Sequence, residues 1–263
     1  MIRIAGIMRA GAYSPNHIGN DAAIFNATAD ELRKRGCTVD VFSEEKFIET
    51  DMPDYPVIVN MCRERASIEK LQQLQEQGRI VINSGFGIEN CTRELMTRLL
   101  MAKGIPYPDS LIVNTNESVS RQLKEAGFSS CWIKRGDFHA MHKEDVSYCR
   151  HIEEAQDMLQ EYWLRGIRRA VINRHLEGDL IKFYGVSGQP FFYWFYPFDM
   201  GHSKYGYEAV NGKSQGIPFS LDYLKEICQK ASDTLEVKIY GGDCIVDPDG
   251  SIRIIDFNDW PSF

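Results

Sequence analysis

Pro248-Asp249-Gly250 stands between two apolar runs at the end of this 263-residue chain. A Pro-Asp-Gly step in that setting signals a turn, which commits the last twenty-odd residues to an antiparallel pair. With Pro248 and Asp249 at the centre, Asp243 faces Ile254, and Asp256 lies two residues further along the same face. The two carboxylates are then diagonal neighbours, about 7–8 Å apart at the backbone. Asn258 continues that face. Three oxygen donors among apolar neighbours suit a hard divalent cation, since Mg²⁺ takes one or two carboxylates together with substrate phosphates. The same spacing also describes a hairpin whose acids are merely solvated. On the metal reading the two carboxylates repel one another without the ion, so removing one relieves the metal-free chain.

The rest of the chain divides by pattern. Residues 1–83 alternate strand and helix: strands at Ile2–Met8, Thr38–Phe42, Pro56–Met61 and Ile80–Asn83, helices at Asp21–Arg35 and Ser67–Gln77. Gly36 and Gly78 close the two helices. Such alternation predicts parallel strands with crossover helices. A helix at Cys91–Lys103 follows, and Pro106 and Pro108 mark a boundary. Strands at Leu111–Val113, Cys131–Lys134 and Val146–Cys149, with helices at Ser118–Ala126 and Ile152–Leu164, make a small α+β lobe. From Ala170 the pattern turns antiparallel, through Ala170–Leu176, Leu180–Val186 and Pro190–Tyr196. Asp199–Pro218 is a long polar loop of the kind that serves function. The amphipathic helix Ser220–Leu235 precedes the hairpin. The divisions are 1–83, 84–172 and 173–263.

An Asp followed thirteen residues later by an acid-x-Asn, closing an antiparallel pair before a proline, resembles the metal end of the ATP-grasp superfamily. The order of α/β lobe, small α+β lid lobe and antiparallel C-terminal lobe is similar to that superfamily over essentially the whole chain. The resemblance implies an ATP-grasp fold, with Asp243, Asp256 and Asn258 holding Mg²⁺ (or Mn²⁺) against the phosphates of ATP.

Further roles follow from the same resemblance. Lys134, ending Trp132-Ile133-Lys134, is implied to reach the α and β phosphates. Arg93, counted back from Gly104-Ile105-Pro106, replaces the usual lysine as a second phosphate cation, and a guanidinium can grip phosphate with two donors. The lid loop Arg135-Gly136-Asp137-Phe138-His139-Ala140-Met141-His142 keeps a single glycine, so His139 and His142 are candidates to contact phosphate by side chain. In the hinge, backbone groups of Arg174, His175 and Leu176 would meet the base edge, and Glu177 or Asp179 would accept from ribose. Lys182, a cation inside the apolar strand Leu180–Tyr184, needs a partner and points toward substrate or γ-phosphate. From their positions rather than from the resemblance, Arg9 and Arg63, at the ends of the first-lobe strands, are candidates with Lys182 to hold a substrate carboxylate.

The reading is an ATP- and Mg²⁺-dependent carboxylate–amine ligase, with Lys182, Arg93 and His139 as its catalytic side chains. The pieces Gly136–Met141, Lys182–Val186 and Ile255–Pro261 are also similar to the inositol-phosphate kinase branch, which implies a kinase with a phosphorylated polyol acceptor. A nucleotide-binding module without catalysis is the third reading. The acceptor is a small anionic molecule. A net charge of −7 argues against nucleic acid, and no apolar run is long enough to span a membrane. A homodimer is the one macromolecular partner left open. Seven cysteines without a C-x-x-C pair, and a first segment that reads as a strand rather than a leader, fit a reducing cytoplasm and not a zinc site.

Overall fold

The computed structural model describes residues 2–13, 18–138, 142–201 and 206–260. They form two compact units. The first holds the chain up to Asn90 with short returns at Glu236–Tyr240 and from Asn258 onward; the second holds Cys91–Leu235 and Gly241–Phe257.

The first unit is a parallel sheet of β1 (Arg3–Met8), β2 (Thr38–Ser43), β3 (Val57–Asn60) and β4 (Ile80–Ile82), in the order β2-β1-β3-β4. Its two faces bury separate cores. Ile4, Val39 and Val59 meet Phe25 and Ala29 of α1 (Ile18–Lys34) on one side. Ala5, Ile7 and Ile58 meet Phe47 of α2 (Glu44–Glu49), Leu71 and Leu74 of α3 (Arg65–Glu76) and Ile88 of α4 (Gly85–Asn90) on the other. A strand buried on both faces reads as a continuous apolar run, as β1 does. Helices α2 and α4 were not expected from sequence. Each is a single capped turn or two: Ser43 Oγ accepts from the Lys46 N–H, and Ser84 Oγ from the Gly87 N–H.

The second unit starts with α5 (Arg93–Ala102) and a sheet ordered β5-β8-β6-β7. Its strands are β5 (Ser110–Asn114), β6 (Cys131–Arg135), β7 (Val146–Cys149) and β8 (Arg169–Arg174). Helices α6 (Ser120–Glu125) and α7 (Glu154–Leu164) cover one face through Leu123, Ala155, Leu159 and Tyr162, against Cys131, Ile133, Cys149, Ala170 and Ile172. The alternation of β6 sends Trp132 and Lys134 to the opposite face. β8 pairs antiparallel with both β5 and β6, so it belongs to this sheet and not with the strand after it.

The other sheet is ordered β10-β9-β11-β12, from β9 (Asp179–Val186), β10 (Phe192–Phe195), β11 (Ile239–Val246) and β12 (Ile252–Asp259). The short helix α8 (Glu208–Asn211) interrupts the expected loop, and α9 (Leu221–Leu235) buries the stripe Leu224, Ile227, Cys228, Ala231 and Leu235.

The final hairpin differs from expectation by one residue. Asp247 donates its N–H to the Ser251 carbonyl (2.9 Å), and Gly250 to that of Asp247 (2.8 Å). The loop is therefore Pro248–Gly250, with Gly250 left-handed at φ 83°. Counting inward from this end sets Ile255, not Ile254, opposite Asp243. At the far end the Trp260 N–H bonds the Ile239 carbonyl (3.0 Å), and counting inward from there sets Asp256 opposite Asp243. The mismatch is one extra residue in β12, a β-bulge at Ile255–Asp256. Burial confirms the slip, since Ile252 and Ile254 are buried and then Phe257 and Asp259.

Candidate functional site

Lys134 is 8 % exposed, and its ammonium donates to the Ile255 carbonyl at 3.0 Å. Burial, and then the nearby Arg93, push its pKa down to about 7, while Asp256 and Asp243 pull the other way. Arg93 opens α5, and its guanidinium grips both oxygens of Asp256. Burial, the largest influence, lowers the Arg93 pKa, but Asp256, Tyr107 and Asp243 together outweigh it and the net shift is upward. Lys182 of β9 reaches across to Asp243, Nζ to Oδ1 at 2.8 Å. Three cations thus face two carboxylates. Each acid is already matched by one of them, and Lys134, held near neutrality by burial, is the basic group left to gain a proton beside an added anion.

The donor set fits a hard cation. It is oxygen only, and the bulge brings Asp243 and Asp256 to one place, where both act on Lys134 and Arg93. Among the described residues no group of three or more His, Cys, Asp or Glu side chains is placed to hold a metal ion. Asn258 follows Asp256 by two positions on the same strand.

No family model matches the chain, and no curated protein matches its sequence. Solved structures do match. D-alanine–D-alanine ligase from Bacillus anthracis is similar with a TM-score of 0.71 at 14 % identity, over 100 % of this chain and 88 % of that one. D-alanyl-alanine synthetase A from Vibrio cholerae gives 0.68 at 12 %, over 99 % and 89 %. The ATP-grasp ligase PsnB, in complex with a minimal precursor, gives 0.62 at 18 %, over 98 % and 90 %. The chain has the ATP-grasp fold. At such identities the likeness concerns the fold, and the site must be argued from these residues.

Within the ATP-grasp fold the hinge is more occupied than expected. The Arg174 N–H bonds the Asp109 carbonyl (2.9 Å) and the His175 N–H that of Ser130 (3.2 Å). The Arg174 side chain pairs with Asp109 and the carbonyls of Ala126 and Gly127. The Leu176 carbonyl accepts from Asn211 Nδ2 at 2.9 Å. Asp179 is buried, and its two oxygens accept the N–H groups of Gln215 and Ile217. Glu177 is exposed. Of the two acids, Glu177 is the one with a carboxylate to offer.

Sequence reasoning missed an aromatic group beside the hinge. The Trp132 indole N–H donates to His175 Nδ1 at 3.1 Å, so His175 is neutral, and burial lowers its pKa accordingly. Tyr148 and Tyr207 lie against Trp132, with ring centroids at 4.9 and 5.4 Å. The alternation Trp132/Lys134 was the available signal, because it sets an aromatic ring on the lysine's face. Gly136 spends its N–H on the Arg169 carbonyl and its C=O on the Glu94 N–H. It therefore has no backbone donor for phosphate. His139 lies outside the described residues. The His142 N–H donates to Asp145 Oδ2.

Arg9 and Arg63 do not wait for a substrate. Both are buried in the first unit, Arg9 on Asp21 (3.0 Å) and Arg63 on Asp259 (2.7 Å).

Proposed function

We propose that the chain is an ATP- and Mg²⁺-dependent ligase that joins a carboxylate to an amine through an acyl phosphate. One observation carries the reading: buried Lys134 and Arg93 and half-buried Lys182 gather about Asp243 and Asp256, three basic side chains to two acids where phosphates would lie. The similar B. anthracis ligase is seen with ATP, and PsnB with Mg and ADP, which supports the choice of ligands. Asp243, Asp256 and Asn258 would hold the metal, which supplies neutralisation of the phosphate charge when bound.

In the reaction the acceptor carboxylate attacks the γ-phosphorus, the bond to the β-γ bridging oxygen breaks, and ADP leaves. The amine then attacks the acyl carbon. The C–N bond forms, the C–O bond to phosphate breaks, and the amine proton is lost. Lys134 and Arg93 bind the phosphates, and Lys182 follows the transferred group. On nucleotide arrival, Arg93 and Lys182 exchange their carboxylates for phosphate oxygens, which frees both acids for the metal. Glu177 accepts from ribose, and Trp132 offers a flat apolar wall to the base.

The test is mass spectrometry of products from ATP and a metabolite extract. An amide product with ADP and free phosphate is expected. A product heavier by one phosphoryl group, without free phosphate, would replace the ligase with a kinase.

A further inference from the structure

Cys131 of β6 and Cys149 of β7 stand directly opposite one another in their antiparallel pair, within the second unit. The Ser130 carbonyl accepts from the His175 N–H on the β8 side (3.2 Å), so Cys131, one residue on, turns its own N–H and C=O toward β7. Facing residues of that kind hold their Cα atoms about 5.5 Å apart, within the roughly 4.4–6.8 Å that a disulfide spans. Both side chains lie in the core under α6 and α7, and both residues are 0 % exposed. The two sulfurs already share a hydrogen bond.

Packing alone does not call for two thiols here. A buried cysteine fills space as a small apolar residue does, and the core around this pair is built from Leu123, Ile133, Ala155 and Leu159. What two facing thiols add is a bond that no other pair of side chains can make. Their hydrogen bond also divides the roles. It draws the Cys131 pKa below the ordinary thiol value against the effect of burial, and it raises that of Cys149, with burial acting in the same direction. Cys131 is therefore the nucleophile of the pair and Cys149 the resolving thiol. Access comes through β7, a strand of 4 residues at the edge of its sheet, which ends at Cys149. Arg150 and His151, directly after it, are exposed. Local opening of such an edge costs less than opening the sheet.

We propose that Cys131 and Cys149 form a thiol–disulfide modification site, closed by a small peroxide, that staples β7 to β6. The Cys131 sulfur attacks one oxygen of hydrogen peroxide. An S–O bond forms, the O–O bond breaks, and the other oxygen leaves as water with the thiol proton. The Cys149 sulfur then attacks the Cys131 sulfur. The S–S bond forms, the S–O bond breaks, and the hydroxyl leaves as a second water with the Cys149 proton. Two thiols and one peroxide give one disulfide and two waters, the sulfurs oxidised and the peroxide reduced. A small thiol reverses the bond by exchange. The staple lies one pair from Trp132 and Tyr148, so it fixes the strand pairing behind those rings.

The test treats the folded full chain with hydrogen peroxide at a dose that oxidises the thiols of the unfolded chain. The remaining thiols are then blocked under denaturing conditions and the peptides mapped by mass spectrometry. Free thiols should fall from seven to five, with Cys131 and Cys149 joined in one cross-linked product, and dithiothreitol should restore all seven. Amides of residues 146–149 should exchange more slowly in the cross-linked protein. Seven free thiols after treatment overturn the proposal. So does a bond that joins other cysteines, or sulfinic acid at Cys131 or Cys149 without a cross-link. Cys149→Ser removes the resolving thiol and should leave Cys131 as a sulfenic acid that dimedone traps. A folded Cys149→Ser protein without that adduct overturns Cys131 as the thiol that meets peroxide. If Cys149→Ser does not fold, the map of the unaltered protein decides.

Discussion

Lys134 is a desolvated ammonium that would be costly to keep without a purpose. Its pKa of about 7 lies well below the ordinary lysine value. The unfolded chain therefore binds more protons between about pH 7 and 10, and the stability contributed by this group rises with pH across that window. Lys134→Met should raise the melting temperature, more at pH 6 than at pH 9, while weakening ATP by roughly tenfold or more through a lost charge-assisted contact of about 1.5–3 kcal/mol. Adenosine affinity should hardly change. In the unaltered protein, phosphate draws the Lys134 pKa back up, so ATP binding at pH 8 should take up close to one proton. Calorimetry in buffers of different ionisation enthalpy reads that proton directly, and zero uptake would remove Lys134 from the phosphates. Asp256 shows where the spacing argument failed. From sequence, deleting it relieves repulsion; in the structure it is the partner of buried Arg93. Asp256→Ala should therefore destabilise the free protein by about 3–5 kcal/mol, because it strands that charge. Denaturant melts check the sign. The acids and Lys134 were legible because each is a charge in an apolar run, whereas the Arg93–Asp256 pair joins residues 163 positions apart and leaves no local mark.

At the scale of elements, strand and helix identity followed from periodicity, and the errors are concentrated where one residue decides register. Pro248-Asp249-Gly250 announces a hairpin, but a two-residue and a three-residue loop share those letters, and only the left-handed Gly250 separates them. The bulge at Ile255–Asp256 restores what the shifted loop would otherwise undo, because a one-residue slip would turn Asp256 away from Asp243. Gly242 is the residue that permits it. A Cβ there would overlap the Asp256 carbonyl oxygen and the ring of Phe183. Gly242→Ala should destabilise the fold by about 1–3 kcal/mol or more and abolish Mg-dependent ATP turnover, since the ring or the bulged strand must give way. Turnover retained with only a small shift in melting would show that the bulge does not set the site. Helices α2 and α4 escaped because six residues carry too little periodicity to rise above their caps, and β8 was assigned to the wrong neighbours because pattern gives a strand's type without its partners.

At the scale of the molecule, the second unit carries a cover already tied down. The Tyr207 hydroxyl donates to the Lys143 (3.2 Å) and Val146 carbonyls beside β7, and its ring meets Trp132 edge-on. Four residues on, Asn211 Nδ2 bonds the Leu176 and Gly178 carbonyls of the hinge (2.9 and 3.3 Å). The segment Tyr207–Asn211 therefore links the small sheet to the hinge strand, and the two should open together. On the proposed ligase reading an acyl phosphate must be shielded from water, so opening should be suppressed when nucleotide is bound. Hydrogen exchange of residues 143–149 and 206–212 should slow in concert on adding Mg-ATP. Tyr207→Phe keeps the ring and removes both hydroxyl bonds. In that variant residues 206–212 should exchange several-fold faster in the free protein, because local opening free energy falls by about 0.5–1.5 kcal/mol per lost bond, while residues 143–149 still slow with nucleotide. If Tyr207→Phe leaves both segments moving as one, the hydroxyl is not the tie. If Mg-ATP slows neither segment in the unaltered protein, this part of the second unit is not a lid.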